Sequence, residues 1–278
     1  MQPEPTDLRH LGRAHVLCGW RVGETLVDPG PASTLPVLLA ALGDLTPRRV
    51  LLTHIHLDHA GAAGSLVRRF PGLEVWVHER GAPHLLDPSR LLASARRLWG
   101  ADMDRLWGEV LPVPEANLRV LTGGERREGF TVAYTPGHAR HHVAFLHEDS
   151  GVALVGDLAG VRVGAGGVLL PPTPPPEVDL AAWGRSLELV GAWAPTALAV
   201  MHFGAHRDQE AHLDRLRTGL ARWGELALHT DAEGYAAALR AALAAGTDAQ
   251  TARAYEQAMP PEQQWAGLER YLSTRAGA

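Results

Sequence analysis

Residues 50–64 read VLLTHIHLDHAGAAG. An apolar run ends at Leu52, and three histidines and an aspartate then crowd into six positions, His54, His56, Asp58 and His59. On a helix, two imidazoles two residues apart point in different directions. In an extended turn leaving a strand they converge on one point. Imidazole is the commonest metal ligand near neutral pH, and a carboxylate beside it adds negative charge for a divalent ion. Asp58 and His59 are adjacent and project apart, so the cluster reads as halves of two metal sites that need further ligands from elsewhere in the chain.

Outward from this stretch the pattern is α/β. Upstream, HVLCGWRVG and TLVDPG read as a hairpin broken at Gly23-Glu24, STLPVLLAALGDL as a helix and RRVLLT as the buried strand feeding the cluster. Downstream, AGAAGSLVRRF reads as a helix starting near Asp58, and LEVWVH as the next strand. Residues 79–116 are mostly helical by periodicity and interrupt two strand-rich blocks, the position of a lid. Strand signals return in LRVLT, FTVAYTPGH, HHVAFLHE and GVALVGD. A Pro-rich loop, LLPPTPPPEVD, then leads into the helix LAAWGRSLELVGAW and the strand TALAVMH. From about residue 207 the character is helical, with helix starts at Asp231 and Pro260-Pro261.

Three candidate ligands stand at the carboxyl ends of other apolar runs: His138 after FTVAYTPG, Asp157 after VALVG and His202 after TALAVM. Loops at one edge of a sheet meet in space even when they are far apart in sequence.

In order and spacing, THIHLDHAG, TPGHA, GD and HFG resemble the successive motifs of the metallo-β-lactamase superfamily, over about residues 15–206. The resemblance implies an αββα sandwich, two mixed sheets with helices outside and metals at one edge. Carried over by residue, it assigns His54, His56 and His138 to one metal, Asp58, His59 and His202 to a second, and Asp157 as a bridge. Asp28 in LVDPG matches a position that orients a ligand histidine. It further implies two divalent cations, zinc first and iron or manganese as alternatives, that share a water and lower its pKa. Asp58 would also serve catalysis, orienting that water and passing a proton to the leaving group. The expected organisation is a catalytic domain over 1–206, with the helical lid inserted at about 79–116, and a helical C-terminal extension over 207–278 packed on the core.

The expected activity is hydrolysis of a small ester, thioester or lactone. Two other readings within the superfamily compete. One is a mononuclear iron oxidoreductase similar to the sulfur dioxygenases, which would use His54, His138 and Asp157. The other is a metal-dependent nuclease. A net charge of −5 and the absence of a basic run weigh against a nucleic-acid partner. Every basic residue is arginine, which removes lysine chemistry, and the lone Cys18 can form neither an internal disulfide nor a cysteine zinc site. An N-terminus without a signal-peptide pattern, and no apolar stretch long enough for a membrane span, suggest a cytoplasmic protein acting on a small molecule; a homodimer is left open.

Of the other histidines, His141 is expected to line the pocket or to face away from it with equal weight. His206 reads as a supporting or surface residue, and His78, His84, His147, His212 and His229 as surface or interface residues. The apolar stripe Leu91, Leu92, Leu98, Trp99, Met103, Leu106 and Trp107 reads first as packing and second as the cover of an apolar pocket. In glyoxalase II relatives a C-terminal helical region helps bind glutathione through basic residues. Here that region offers scattered Arg on an Ala-rich face, which speaks against glutathione.

Overall fold

The computed structural model describes residues 1–164 and 166–276. Its strands divide cleanly between the two halves of the chain. The first sheet takes β1 (Glu4–Asp7), β2 (Cys18–Val22), β3 (Thr25–Val27), β4 (Arg49–Leu51), β5 (Glu74–His78) and β6 (Leu118–Leu121), in that spatial order. β1, β2 and β3 pair antiparallel, and β3 to β6 pair in parallel. The second sheet takes β7 (Arg126–Arg127), β8 (Phe130–Tyr134), β9 (Val143–His147), β10 (Val152–Gly156), β11 (Ala197–Val200) and β12 (Gly204–His206). All its neighbours are antiparallel except β10 and β11. The expected hairpin is present, with Val22 opposite Thr25 across Gly23-Glu24. Strands β1, β7 and β12 carry no strong apolar alternation and are not among the strand signals of the sequence.

Side chains alternate between the faces of each strand, and this alternation builds the layers. Leu51 and Trp76 point inward to meet Phe130, Val132, Phe145 and Leu154 of the other sheet. Their neighbours Val50, Leu52, Val75 and Val77 point outward. The outer face of the first sheet is covered by α1 (Leu35–Leu42) and by α3 (Ala63–Arg69), which follows the short α2 (Leu57–Ala60). The expected single helix from Asp58 is thus two. The break falls at Gly61, where a Cβ would lie 3.1 Å from Pro31 Cα.

Between β5 and β6, α4 (Ala82–Leu86) packs Ala82 and Leu85 into the core of the first sheet, while α5 (Ser89–Trp99) and α6 (Met103–Trp107) form a small cluster of their own, in which Ala95, Met103, Leu106 and Trp107 pack on Leu57 beside the histidine turn. The second sheet is covered by α7 (Leu180–Ala192) and α8 (Gln209–His229), through Trp183, Leu187 and Val190 of the one and Leu213, Leu216 and Leu220 of the other. The result is an αββα sandwich. Helices α9 (Ala232–Gly246), α10 (Ala249–Ala258) and α11 (Pro261–Ala276) complete a further apolar cluster, which joins Trp223, Tyr235, Leu239 and Tyr255 to Val161, Leu170 and Val178 of the loop between β10 and α7.

Trp183 holds α7 on the second sheet. It is fully buried, and its indole N–H donates to the Leu158 carbonyl at 2.7 Å. Trp183→Ala leaves a cavity and an unpaired carbonyl, an expected loss of about 3–5 kcal/mol. A thermal-unfolding scan should show the midpoint lowered by about 6–15 °C.

Candidate metal centre

Each site residue follows the carboxyl end of a strand: Asp28 after β3, His54 after β4, His138 after β8, Asp157 after β10 and His202 after β11. His56 leads into α2, and Asp58 and His59 lie within it. Strands β3 and β4 are parallel, as are β10 and β11, and β8 runs with β10 because each pairs antiparallel with β9. The loops that leave them gather at one edge of the sandwich.

His54 Nε2 and His138 Nε2 both lie 3.0 Å from His56 Nδ1. Asp58 Oδ2 lies 3.3 Å from His202 Nε2 and 3.7 Å from His59 Nε2. Asp157 stands between these two triads, with Oδ2 3.3 Å from His138 Nε2, and Oδ1 3.1 Å from His59 Nε2 and 3.4 Å from His202 Nε2. All seven predicted residues therefore come together, divided as expected, and the ligand atoms of each triad lie within 4.8 Å of one another. Two ligand atoms on one tetrahedral ion at 2.0–2.1 Å stand about 3.3 Å apart, which is close to the separations found here.

The far side of each ring fixes its orientation. His59 Nδ1 donates to Asp28 Oδ2 at 2.9 Å, His138 Nδ1 to the Pro172 carbonyl at 2.9 Å, and His202 Nδ1 to the Val16 carbonyl at 2.8 Å. Thr53 Oγ1 donates to Asp28 Oδ2 at 2.6 Å and receives His54 Nδ1 at 3.1 Å, while the Thr53 N–H donates to Asp28 Oδ1 at 2.8 Å. In all four rings Nε2 is the nitrogen left to face the centre. Thr53 was missed in the sequence, because a threonine at a strand end carries no signal of its own. Gly156 allows the arrangement: with φ of +47°, it sits where a Cβ would fall 2.3 Å from Thr53 Oγ1.

The donors suit divalent cations. His59 Nε2 and Asp157 Oδ1 are buried, and face each other without hydrogen-bond geometry or any other hydrogen-bond partner. Burial and neighbouring imidazoles hold His54 well below the usual histidine pKa. Burial also lowers His56, and lowers His138 to about 4, against the pull of Asp157. These rings are neutral and offer lone pairs. Burial alone would lower His59 as well, but Asp157, Asp58 and Asp28 together hold it well above its usual value. Asp157 and Asp58 likewise outweigh burial at His202 and raise it. The same imidazoles overcome the burial of Asp58, bringing it down to about 2, and hold Asp157 well below the carboxylate range.

His141 does line the cavity beside this centre. Its Nδ1 accepts the Ile55 N–H at 3.4 Å and its Nε2 lies 3.5 Å from Glu177 Oε2. His84 lines the cavity too, and His229 is exposed. His78, His147 and His212, expected at the surface or an interface, are instead buried within the fold. His78 stacks on Tyr134 at 4.4 Å, His147 pairs with Ser150 Oγ at 2.7 Å, and His212 meets the Ala159 carbonyl at 2.7 Å. His212 also meets Arg162 at 3.0 Å, and these surroundings are invisible in the sequence. His206 is also buried, against His212 in a network with Arg162 and Asp208.

The family model of the metallo-beta-lactamase superfamily matches residues 23–250. The metallo-beta-lactamase fold-containing protein ST1585 of Sulfurisphaera tokodaii is 26% identical over 223 residues, 76% of this chain and 81% of that protein. The crystal structure of ST1585 from Sulfolobus tokodaii superposes with a TM-score of 0.65 at 24% identity, over 77% of this chain and 85% of that one. A di-iron-bound structure of TTHA1623 gives a TM-score of 0.52 at 29% identity, over 68% and 88%. A hydroxyacylglutathione hydrolase of Xylella fastidiosa is 35% identical over 124 residues, 45% of this chain, and the match spans only 37% of that enzyme.

Two measurements follow from the geometry. Asp28→Ala removes the acceptor shared by Thr53 and His59, and should weaken divalent-metal binding about 10- to 100-fold in a chelator competition. The carboxylates around His59 and His202 favour their protonated forms, and a cation needs their lone pairs, so metal loading near neutral pH should release protons and affinity should rise with pH. Calorimetry in two buffers of different ionisation enthalpy reads this directly; zero release would contradict it.

Proposed function

The chain belongs to the metallo-beta-lactamase superfamily, and from that membership we propose that it is a binuclear metal-dependent hydrolase of a small ester, thioester or lactone. The observation that carries this reading is Asp157, whose two oxygens face the two separate triads. One cation would be held by His54, His56 and His138, the other by Asp58, His59 and His202, with Asp157 common to both. Zinc suits the histidine-rich set, and the di-iron form of TTHA1623 supports iron as the alternative. When bound, such a pair supplies Lewis acidity and a water ionised near neutral pH.

The residues of the chain supply the rest. Asp58 is partly exposed and lines the cavity. Its oxygen turned away from His202 can accept a hydrogen bond from the attacking water and carry a proton to the leaving group. His141 accepts the Ile55 N–H at Nδ1, so its proton is on Nε2, where it can donate to a substrate oxygen. In this reading residues 1–206 carry the chemistry, while the lid at 79–116 and the extension at 207–278 shape the entrance. A small-molecule substrate agrees with the net charge of −5.

Metal content per chain and turnover on a panel of lactones, thioesters and esters test the proposal together. About two metal equivalents are expected, and Asp58→Ala should lower kcat by about 10²–10⁴. Full activity in Asp58→Ala would overturn the reading. One iron per chain with oxygen consumption would replace it with the sulfur dioxygenase-like alternative.

A further inference from the structure

The cavity beside the metal centre, about 250 Å³ in volume, is built from three segments remote in sequence: helix α5, the Pro-rich loop and the junction of α10 with α11. Helix α5 presents Arg90, Leu91, Ser94, Ala95, Leu98 and Trp99 to it. This i, i+1, i+4, i+5, i+8, i+9 spacing is one continuous helix face. Opposite lie Pro172 and Pro174–Pro176, with Met259 and Pro260 closing the end. His56, Asp58 and Asp157 reach its inner end. Ala95, Leu91 and Trp99 of this face also pack in the cluster around Leu57 and Trp107, whereas Leu98 lines the cavity and stays 39% exposed, open to a ligand.

The opposing wall is held from within the fold. Thr173 N–H donates to Gln264 Oε1 at 2.5 Å, Thr173 Oγ1 donates to the Gln264 carbonyl at 3.0 Å, and Gln264 Nε2 donates to the Pro260 carbonyl at 3.1 Å. These bonds tie the Pro-rich loop to α11. At Gly267, a Cβ would lie 2.1 Å from the Thr173 carbonyl, so the two segments are in close contact. Prolines also lack the N–H that would otherwise need a partner on this face. The C-terminal helices therefore form one side of a fixed apolar slot that leads from solvent to the centre.

Resting on the hydrolase reading above, we propose that this slot is the acyl subsite, and that the substrate is an ester or thioester whose acyl part is an unbranched apolar chain lying along α5 between Leu98, Trp99 and the prolines. Arg90 is the one arginine among the cavity-lining residues, and the polar remainder of the wall beyond the centre is His84, Ser94, His141, Glu177, Gln263 and Gln264.

Straight-chain carboxylates of four to twelve carbons, used as product analogues, test the proposal on the metal-loaded full-length protein by calorimetry. Binding is expected to tighten about two- to fourfold with each added methylene until the slot is filled, since each buried methylene transfers from water to an apolar wall. Ser94→Trp, which fills the slot, and Leu98→Asp, which makes its wall polar, should each flatten that series. The two differ in position and chemistry, and thermal midpoints verify that each has folded. Equal affinity across the wild-type series, or an unchanged gradient in both folded variants, would overturn the acyl subsite. Turnover of a two-carbon acyl ester, measured separately on the wild type, reads the hydrolase proposal alone. Absent turnover with the gradient intact rejects the hydrolase and keeps the slot, and turnover without a gradient does the reverse.

Discussion

The Asp157 carboxylate lies buried where the carboxyl ends of the two sheets meet, and an ionised group removed from water must be compensated on every side. Its partners come from both halves of the chain: His59 from the first sheet's edge, His138 and His202 from the second. Neither sheet could satisfy it alone. The apolar layer between the sheets brings the edges together, and the charge cluster fixes how closely they approach. A largely buried array of three orienting or ligating carboxylates and five imidazoles, with His59 Nε2 and Asp157 Oδ1 left unpaired, is an expensive arrangement for a purely structural role. That cost is the physical argument for cations at the site.

Orientation is invested in the backbone as much as in side chains. Val16 and Pro172 contribute only their carbonyls, yet each fixes which nitrogen of a histidine faces inward. Asp28 does the same for His59 and, through Thr53, for His54. Close approach without a Cβ makes room for this shell at Gly156, and at Gly137, where a Cβ would fall 2.4 Å from Trp183 Cα. A ring held on both sides loses little freedom when it takes up a ligand, which is what preorganisation means in energetic terms.

The cavity follows a different logic. Its inner end belongs to the sandwich, but its walls come from the insertion between β5 and β6, from the loop after β10 and from the last two helices. In the proposed reading, chemistry and selectivity are thereby separated in the chain. The centre demands fixed residue types at fixed places, whereas the walls demand only apolar surface of the right shape. No described helix is long and apolar enough to cross a membrane.

Local pattern in the sequence determined the α/β alternation, the strands that carry the site and the candidate ligands at their carboxyl ends, while the αββα class, the division of the ligands and the part of Asp28 came from the resemblance of the motifs to the superfamily. The former features were legible because they are local: apolar runs of period two ending in His or Asp, and a histidine spacing that only an extended turn can use. Tertiary structure alone decided the rest. The burial of His78, His147 and His212, the part of Thr53, the break between α2 and α3, the pocket-facing side of His141 and the seating of α5 against the Pro-rich loop all depend on segments tens to hundreds of residues apart. A single chain of letters records which side chains are apolar or titratable. Which of them lose water, and to whom they turn, is settled only when distant surfaces close on one another.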